Sequence, residues 1–263
     1  MVGTRLPPLP FAEQTMNRRL VLRATGAALL AAMAPLRAQG KGKVLIVSTS
    51  HADAPNGRKT GLWLSQLTEP YWTFRDAGHI VDIASIQGGT PPIDPRSGSD
   101  RVLAGKLRND EVAIQAFNES VCVDCINPGP YVAYFLAGGH GALWDFPKSE
   151  SLRALLEAAA RQQKAIGAVC HGTAGLLGVR VDGVPMVAGR RLTGFTDDEE
   201  QRAGWTGHVP YSLQQRLQAE GAIFRAGDAF RSHVVRDGLL VTGQNPASAA
   251  ASARVLLDAL LAA

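Results

Sequence analysis

The sequence predicts an α/β fold, a three-layer sandwich whose mostly parallel central sheet has helices on both faces. Continuous apolar, β-branched runs such as KVLIVST (43–49) are typical of strands buried on both faces. Segments with apolar spacing near 3.6 residues, such as 149–163, alternate with these runs over about 220 residues. Alternation of this kind predicts a parallel sheet, because each parallel crossover takes up a helix.

The first half predicts the order strand, helix, strand, loop, helix, strand. After the strand at 43–49, a helix over 60–78 is bent or interrupted near Pro70 and ends at a glycine. The remaining elements of this half are a strand at 79–85, a Gly- and Pro-rich loop at 88–100, a helix at about 109–119 and a strand over 131–141 that runs into glycines.

The second half starts with the helix at 149–163, whose first serines can cap its N-terminus. After it we predict a strand at 164–170, a short helix at 171–179, short strands within 186–196, a helix at 210–221, a strand at 239–243 and a C-terminal helix at 245–261. There is no internal repeat, and we predict a single domain over 41–263.

Residues 1–40 have the composition of an export signal, and we exclude them from the fold. Paired arginines at 18–19 precede an apolar stretch at 24–36, a pattern that resembles a twin-arginine signal. An ordinary secretory signal and an uncleaved anchor are the alternatives. The stretch is shorter than the roughly 20 residues of a spanning helix, which favours a removed signal and a periplasmic or secreted protein. Translation can start at Met1 or Met16.

The net charge of +4 belongs to this leader. Residues 1–38 hold five arginines and one glutamate, which leaves 22 basic and 22 acidic residues in the rest of the chain. A neutral body without a basic stripe offers no electrostatic footprint for nucleic acid, so we exclude a nucleic-acid partner. No later segment approaches a membrane span, so we expect no membrane partner after signal removal.

The stretch GAVCHGTAGLL (167–177) places Cys170 between a predicted strand and a predicted helix. This order matches a nucleophile elbow with sulfur in place of a hydroxyl. The positive end of a helix dipole favours a thiolate, and His171 can carry a proton to or from it. The alternative is a buried cysteine that only fills the core.

The loop AGGHG (137–141) follows a neighbouring predicted strand. Functional groups of such sheets lie at the carboxyl ends of the strands, so this loop and the elbow are expected to meet. The N–H groups of Gly138 and Gly139, with that of His171, can form an oxyanion hole. His140 follows these glycines and either borders the site or only positions the loop.

Five stretches in order resemble the ThiJ/PfpI superfamily, in its heat-shock chaperone and glyoxalase III-like branch. They are the segment from KTGLWLSQLTEP to GGTPPIDP, AGGHGALWDF, AVCHGTAGLL, GRRLTGFTDDEE and LLVTGQNPAS. The resemblance covers about 43–260. The resemblance implies a flavodoxin-like, class I glutamine-amidotransferase-like fold, a homodimer and a triad of cysteine, histidine and acid. Cys170 and His171 take the first two places.

The same resemblance assigns the acid of the triad to Glu200. In this branch the acid lies six residues after the glycine of a GFT turn, which is Gly194 here. Its role would be to orient His171. The alternative is that Glu199 and Glu200 begin a solvated helix face.

The chain departs from this branch at Gln66. Members with glyoxalase activity carry a glutamate there, in a stretch like TGxWLEE, whereas this chain has TGLWLSQ with Ser65 and Gln66. A glutamine amide cannot accept a proton at neutral pH, although it can donate a hydrogen bond to a thiolate. Glu69, three residues on, is a candidate substitute for the missing acid.

The chain has three cysteines, two of which form a C-x-x-C pair, Cys122 and Cys125. A zinc site lacks a second pair, and a redox motif is expected to open a helix. A local disulfide in an oxidising compartment and two unpaired thiols remain open. The other histidines have no metal-ligand spacing, and no metal is expected.

The motifs and the resemblance leave three candidate functions. The first is a cofactor-independent, cysteine-dependent conversion of small 2-oxoaldehydes such as methylglyoxal to hydroxy acids, with a small carbonyl compound as the only substrate. The second is hydrolysis of an amide or peptide bond through an acyl-cysteine. The third is a stress-related chaperone or redox-sensing binding protein, which Gln66 favours.

Overall fold

The computed structural model describes residues 41–262, in which a seven-stranded sheet is the central layer. Its strand order is β10-β11-β5-β4-β1-β2-β3, and the β10–β11 pair is antiparallel whereas the others are parallel. The strands of this sheet are β1 (Lys43–Ser48), β2 (Ile80–Ser85), β3 (Val121–Cys122), β4 (Tyr131–Leu136), β5 (Ala165–Val169), β10 (Val234–Asp237) and β11 (Leu240–Gly243). The predicted fold class is confirmed.

Helices cover both faces of this sheet. One face packs against α1 (Ser65–Asp76), α3 (Arg101–Asn109), α4 (Glu111–Asn118) and α9 (Ala249–Leu261). The other packs against α5 (Ala142–Asp145), α6 (Glu150–Arg161) and α8 (Leu213–Ala219). Two short helices, α2 (Pro95–Gly98) and α7 (Asp197–Arg202), bring side chains to the carboxyl ends of the strands.

The remaining elements are short. Two small pairs of strands flank the sheet: β6 (Arg180–Val181) with β7 (Val184–Pro185), and β8 (Arg191–Leu192) with β9 (Ile223–Phe224). Single 3₁₀ turns lie at Pro55–Gly57, Val123–Cys125, Phe146–Lys148, Cys170–Leu176 and Pro246–Ser248. Among residues 41–262, the helices are too short or too polar for any of them to cross a bilayer.

The structure differs from the predicted elements at several places. Helix α1 continues through Pro70, which leaves the Gln66 carbonyl without its helical N–H partner. The helix predicted at 109–119 is α4, whose N-terminus is capped by the Asp110 side chain, which accepts from the Ala113 N–H. The separate helix before it, α3, was not predicted. Strand β10 was not predicted either, although Gly238 begins the two-residue turn of its hairpin with β11.

Candidate active site

Cys170 lies at a sharp turn between β5 and the 3₁₀ turn that follows it. Its φ of 56° is in the left-handed region, which costs an ordinary residue about 1 kcal/mol or more. The Thr173 hydroxyl donates to the Cys170 carbonyl at 2.8 Å and closes the turn. The short helix predicted at 171–179 is present as a 3₁₀ helix over Cys170–Leu176, and the left-handed backbone of Cys170 makes the turn into it.

The structure brings together Cys170, His171 and Glu200. The thiol sulfur lies 3.3 Å from Nδ1 of His171, and Nε2 of His171 lies 2.8 Å from Oε2 of Glu200. All three residues are buried, with 2 %, 1 % and 8 % of their surface exposed. A hydrogen-bonded thiol, imidazole and carboxylate can move a proton between sulfur and ring nitrogen while the carboxylate stabilises the charged ring.

Helix α7 delivers Glu200 into the protein. Thr196 and Glu199 form a capping box at its start, and the glycine of the preceding GFT turn, Gly194, packs against Thr173 of the elbow. Glu199 is fully buried and accepts from Phe230 N–H and the Asn245 amide. The alternative of a solvated helix face is therefore wrong for Glu199 and Glu200.

His140 lies inside the site, on the other oxygen of the same carboxylate. Its Nε2 is 2.7 Å from Oε1 of Glu200, and its ring centroid is 4.0 Å from that of His171. On its far side, Nη2 of Arg96 lies 3.0 Å from Nδ1 of His140, and Trp205 stacks on its ring at 4.1 Å. Arg96 and Trp205 were not predicted from the sequence, because neither stands at a motif spacing from Cys170.

The charges of this cluster set its protonation states. Burial disfavours the charged form of His171, but the Cys170 sulfur and the Glu200 carboxylate more than offset this and raise the pKa of His171 to about 10. Burial, with His171 nearby, lowers the pKa of His140 to about 4. Burial opposes ionisation of Glu200, but His171 and His140 hold its pKa well below the usual range. One charged and one neutral histidine therefore share one carboxylate at neutral pH.

Gly138 and Gly139 pass directly over the elbow. A Cβ at Gly138 would collide with Oε1 of Gln66 and with the Val169 carbonyl oxygen, so only glycine fits. Gly139 has φ of 124°, which side chains rarely adopt. Within the described residues, neither N–H donates to a carbonyl or side chain, so both donors are free for an oxyanion.

Gln66 lies on α1, with its side chain against Gly138. Its side chain is fully buried, and within residues 41–262 neither amide atom has a hydrogen-bond partner. Glu69 does not substitute for an acid here: its carboxylate accepts from the Ala250 N–H at the start of α9. The thiol region therefore contains a neutral, unpartnered amide where glyoxalase members carry a glutamate.

His140, His171 and Glu200 are also the kinds of side chain that bind metal ions. Nitrogen or oxygen atoms of His140, His171 and Glu200 lie within 4.8 Å of one another. Each of these nitrogens, however, is already hydrogen-bonded to Glu200, and the Arg96 guanidinium lies beside His140. The donor set thus fits a proton relay better than a divalent cation, which the arginine would repel.

Cys122 and Cys125 form a disulfide, with Cα atoms 5.3 Å apart. Of the two alternatives that the sequence leaves open, the structure thus has the local disulfide: β3 ends at Cys122, and the chain turns at 123–125. Of the chain's three cysteines, Cys170 is the free thiol.

The aromatic residues around Pro70 divide into two groups. Tyr71, Trp72 and Phe74 are buried in the core. Trp63 is different, since the guanidinium of Arg96 lies 5.5 Å from its ring centre. Trp63 therefore contacts the same arginine that holds His140, and it borders the candidate site.

The fold and the elbow define an α/β protein whose strand ends carry a cysteine, a histidine and a glutamate. The chain belongs to the DJ-1/PfpI family, whose model matches residues 61–259. This confirms the resemblance found in the sequence motifs.

Two curated relatives and two solved structures cover most of the chain. Glyoxalase 3 of Candida albicans is 29% identical, over 82% of this chain and 98% of its own length. The glutathione-independent glyoxalase HSP31 of Saccharomyces cerevisiae is 31% identical, over 83% and 98%.

Among solved structures, the Rapid Encystment Protein 24 KDa (REP24) of Francisella tularensis is 36% identical with a TM-score of 0.80, over 83% of this chain and 99% of that one. Glyoxalase III of Candida albicans is 27% identical with a TM-score of 0.76, over 83% and 97%. The fold and branch are thus those of glyoxalase III-like proteins.

Proposed function

We propose that this protein is a cysteine-dependent glyoxalase that converts 2-oxoaldehydes such as methylglyoxal into hydroxy acids without glutathione or another cofactor. The observation that carries the proposal is the buried contact of Cys170 Sγ with His171 Nδ1, backed by Glu200. Relatives named Glyoxalase 3 and glutathione-independent glyoxalase HSP31 support it.

The first step is addition of the Cys170 thiolate to the aldehyde carbon. A carbon–sulfur bond forms, and the carbonyl oxygen takes a proton from His171 to give a hemithioacetal. The free N–H groups of Gly138 and Gly139 stabilise the negative charge on that oxygen while it develops.

The second step moves hydrogen from the aldehyde carbon to the ketone carbon. His171, now neutral, removes the C1 proton to give an enediolate, and C2 is then protonated, which produces the Cys170 thioester of lactate. Water hydrolyses the thioester, so that methylglyoxal and one water become lactate and the thiol is regenerated. His171 transfers these protons alone, whereas a glutamate at position 66 would take part in the transfer.

The test compares the mature protein with a Cys170→Ala variant, given methylglyoxal in the absence of glutathione. We expect lactate from the unmodified protein and only the uncatalysed rate from the variant. A double Cys122→Ser, Cys125→Ser variant is the matched control and should keep the activity, because its sulfurs are tied in the disulfide. Lactate formation that does not depend on Cys170 would contradict the proposal.

A redox-sensing protein is the second candidate, and the amide at Gln66 favours it, since no carboxylate there assists turnover. In this case mild peroxide would convert Cys170 to the sulfinic acid, seen by mass spectrometry, while lactate formation stays at background. Chaperone function would instead appear as protection from heat aggregation that survives Cys170→Ala. An amidase would release amine or ammonia from amide substrates in a Cys170-dependent way.

We also propose that the protein is exported, to the periplasm or beyond, and acts there as a homodimer. The leader lies at residues 1–40, outside the described residues. The Cys122–Cys125 disulfide supports an oxidising compartment. Fractionation of cells that express the full chain checks the location, and a processed form that stays in the cytosol would overturn it.

A further inference from the structure

A second hydrogen-bonded chain reaches Glu200 from the side away from the thiol. Asp94 accepts from Arg96 through both carboxylate oxygens, at 2.9 and 2.6 Å. Arg96 reaches His140 at 3.0 Å, and His140 reaches Glu200 at 2.7 Å. Asp94, His140 and Glu200 are all buried, and Arg96, which joins them, is partly exposed to solvent. The proposed reaction uses none of Asp94, Arg96 and His140 directly.

The chemistry of arginine fixes the direction of every hydrogen bond in this chain. A guanidinium only donates, so Nδ1 of His140 has to accept from Arg96 and carries no proton. The proton of neutral His140 is therefore on Nε2, which donates to Oε1 of Glu200. Oε2 of Glu200 therefore accepts from Nε2–H of His171, and Nδ1 of His171 faces the sulfur of Cys170.

The His140 ring is also held mechanically. Trp205 stacks on one side of it at 4.1 Å, and the Arg96 guanidinium lies 4.4 Å from the centre of the Trp205 ring. The charged groups that face His140 are Arg96 on α2, Glu200 on α7 and His171 at the elbow. Arg58 lies behind Trp205, at 5.4 Å from its ring centre. Burial and these neighbours keep His140 neutral while His171 is charged.

We propose that Asp94, Arg96 and His140 are positioning residues that hold Glu200 in one orientation and thereby fix which ring nitrogen of His171 exchanges a proton with Cys170. The inference rests on the proposed function only in taking Cys170 as the reactive group. The Asp94–Arg96 pair is neutral as a whole, so the chain orients the carboxylate without adding net charge to the site. Imidazole tautomers set in this way by the partner of the other nitrogen are a general feature of histidine sites.

The direct test is the histidine tautomer, measured by nitrogen NMR on protein labelled with ¹⁵N-histidine. We expect His140 of the unmodified protein to be neutral with its proton on Nε2 between about pH 5 and 8. In Arg96→Met, the donor to Nδ1 and its positive charge are lost, so His140 should populate both tautomers or become protonated in this range. A proton on Nδ1 of His140 in the unmodified protein would overturn the proposal.

The second readout is alkylation of Cys170 by iodoacetamide as a function of pH, which needs no glyoxalase turnover. We expect the midpoint of the alkylation profile to move by roughly one pH unit in Arg96→Met and in His140→Leu. His140→Gln should restore most of the profile, because its amide can still donate to Glu200. The matched control is Arg58→Met, which removes the other arginine over Trp205 and should leave the profile unchanged.

The two proposals fail in different ways. Folded Arg96→Met and His140→Leu variants with an unmoved alkylation profile would overturn the positioning role, whatever the lactate assay shows. If the unmodified protein makes no lactate but the alkylation profile moves in both variants, the glyoxalase proposal is wrong and the positioning role stands. Thermal unfolding of each variant establishes that it is folded.

Discussion

Two sides of the candidate site around the elbow and the glycine loop differ in whether their polar groups have partners. On the paired side, His171, Glu200, His140 and Arg96 form a chain in which each polar group meets a partner within 3.3 Å. On the unpaired side, beside Gly138, the fully buried amide of Gln66 has no partner for either of its polar atoms in the described residues. A fully paired network and an unpaired amide thus lie in the same region of strand ends.

This difference shows which side of the site is already organised for chemistry. A buried polar group without a partner costs about 1–3 kcal/mol, and such groups in native proteins call for an explanation. The paired chain fixes the charge of His171 before substrate arrives. The free amide of Gln66 and the free N–H groups of Gly138 and Gly139 are open to hydrogen bonds from a substrate or a water.

The largest change should follow from breaking the paired side with Glu200→Gln. An amide can accept from one histidine but then presents its N–H₂ group to the other, so one ring N–H is left unpaired. His171 also loses the charge that helps to keep it protonated. We expect lactate formation to fall by about 10³-fold or more, as for other triad acids, when measured at saturating methylglyoxal.

The neighbouring glutamate is the matched control for this variant. Glu199 is buried on the same helix and accepts four hydrogen bonds, but none comes from a site histidine. Glu199→Gln should lower the melting temperature and leave the alkylation profile of Cys170 unchanged. Equal losses of activity per folded molecule in the two variants would mean that Glu200 acts only through stability.

Most of the sheet was predictable because its strands are buried on both faces. The runs at 43–49 and 239–243 correspond to β1, Lys43–Ser48, and β11, Leu240–Gly243, within a residue. Helix α3 was not predicted, whereas the start of α4 was placed within two residues. The contacts of the Asp110 carboxylate with Arg75 and Trp72 of α1 could not be predicted, because they join distant parts of the chain. Tertiary contacts of this kind leave no periodic signal in the sequence.

The candidate site was predictable only where residues share a motif. Cys170 and His171 are adjacent, and Glu200 stands at a fixed distance from a recognisable turn. Arg96 and His140 are 44 residues apart, and only the packing of α2 against the glycine loop brings them together. The unpaired state of Gln66 was likewise beyond the sequence, since it depends on what surrounds the amide in space.

The unpaired side can be sharpened with Gln66→Glu, which restores the acid found in glyoxalase members. A carboxyl group buried in this position should have a raised pKa and can accept a proton during the C1 to C2 transfer. We expect the rate of lactate formation to rise by roughly 10- to 100-fold. The same substitution in a Cys170→Ala background should yield no gain.

Ser65→Glu is the matched control, since it adds the same charge one residue earlier on α1. We expect it to leave lactate formation near the unmodified rate. A comparable gain in both variants would show that added negative charge, and not an acid at position 66, accelerates the reaction.

The smallest expected effect concerns stability, and it compares two buried glutamines. Gln66→Met removes an amide without partners and keeps a side chain of similar length, so the free energy of unfolding should rise by about 1 kcal/mol. Gln244→Met removes an amide that accepts from Gly227 N–H at 2.7 Å and donates to its carbonyl at 3.3 Å, and should lower it by about 2 kcal/mol. Urea unfolding of both variants measures the difference. If Gln66→Met is instead destabilised as much as Gln244→Met, its amide is hydrogen-bonded to a buried water in solution, and the two sides of the site are alike in being satisfied.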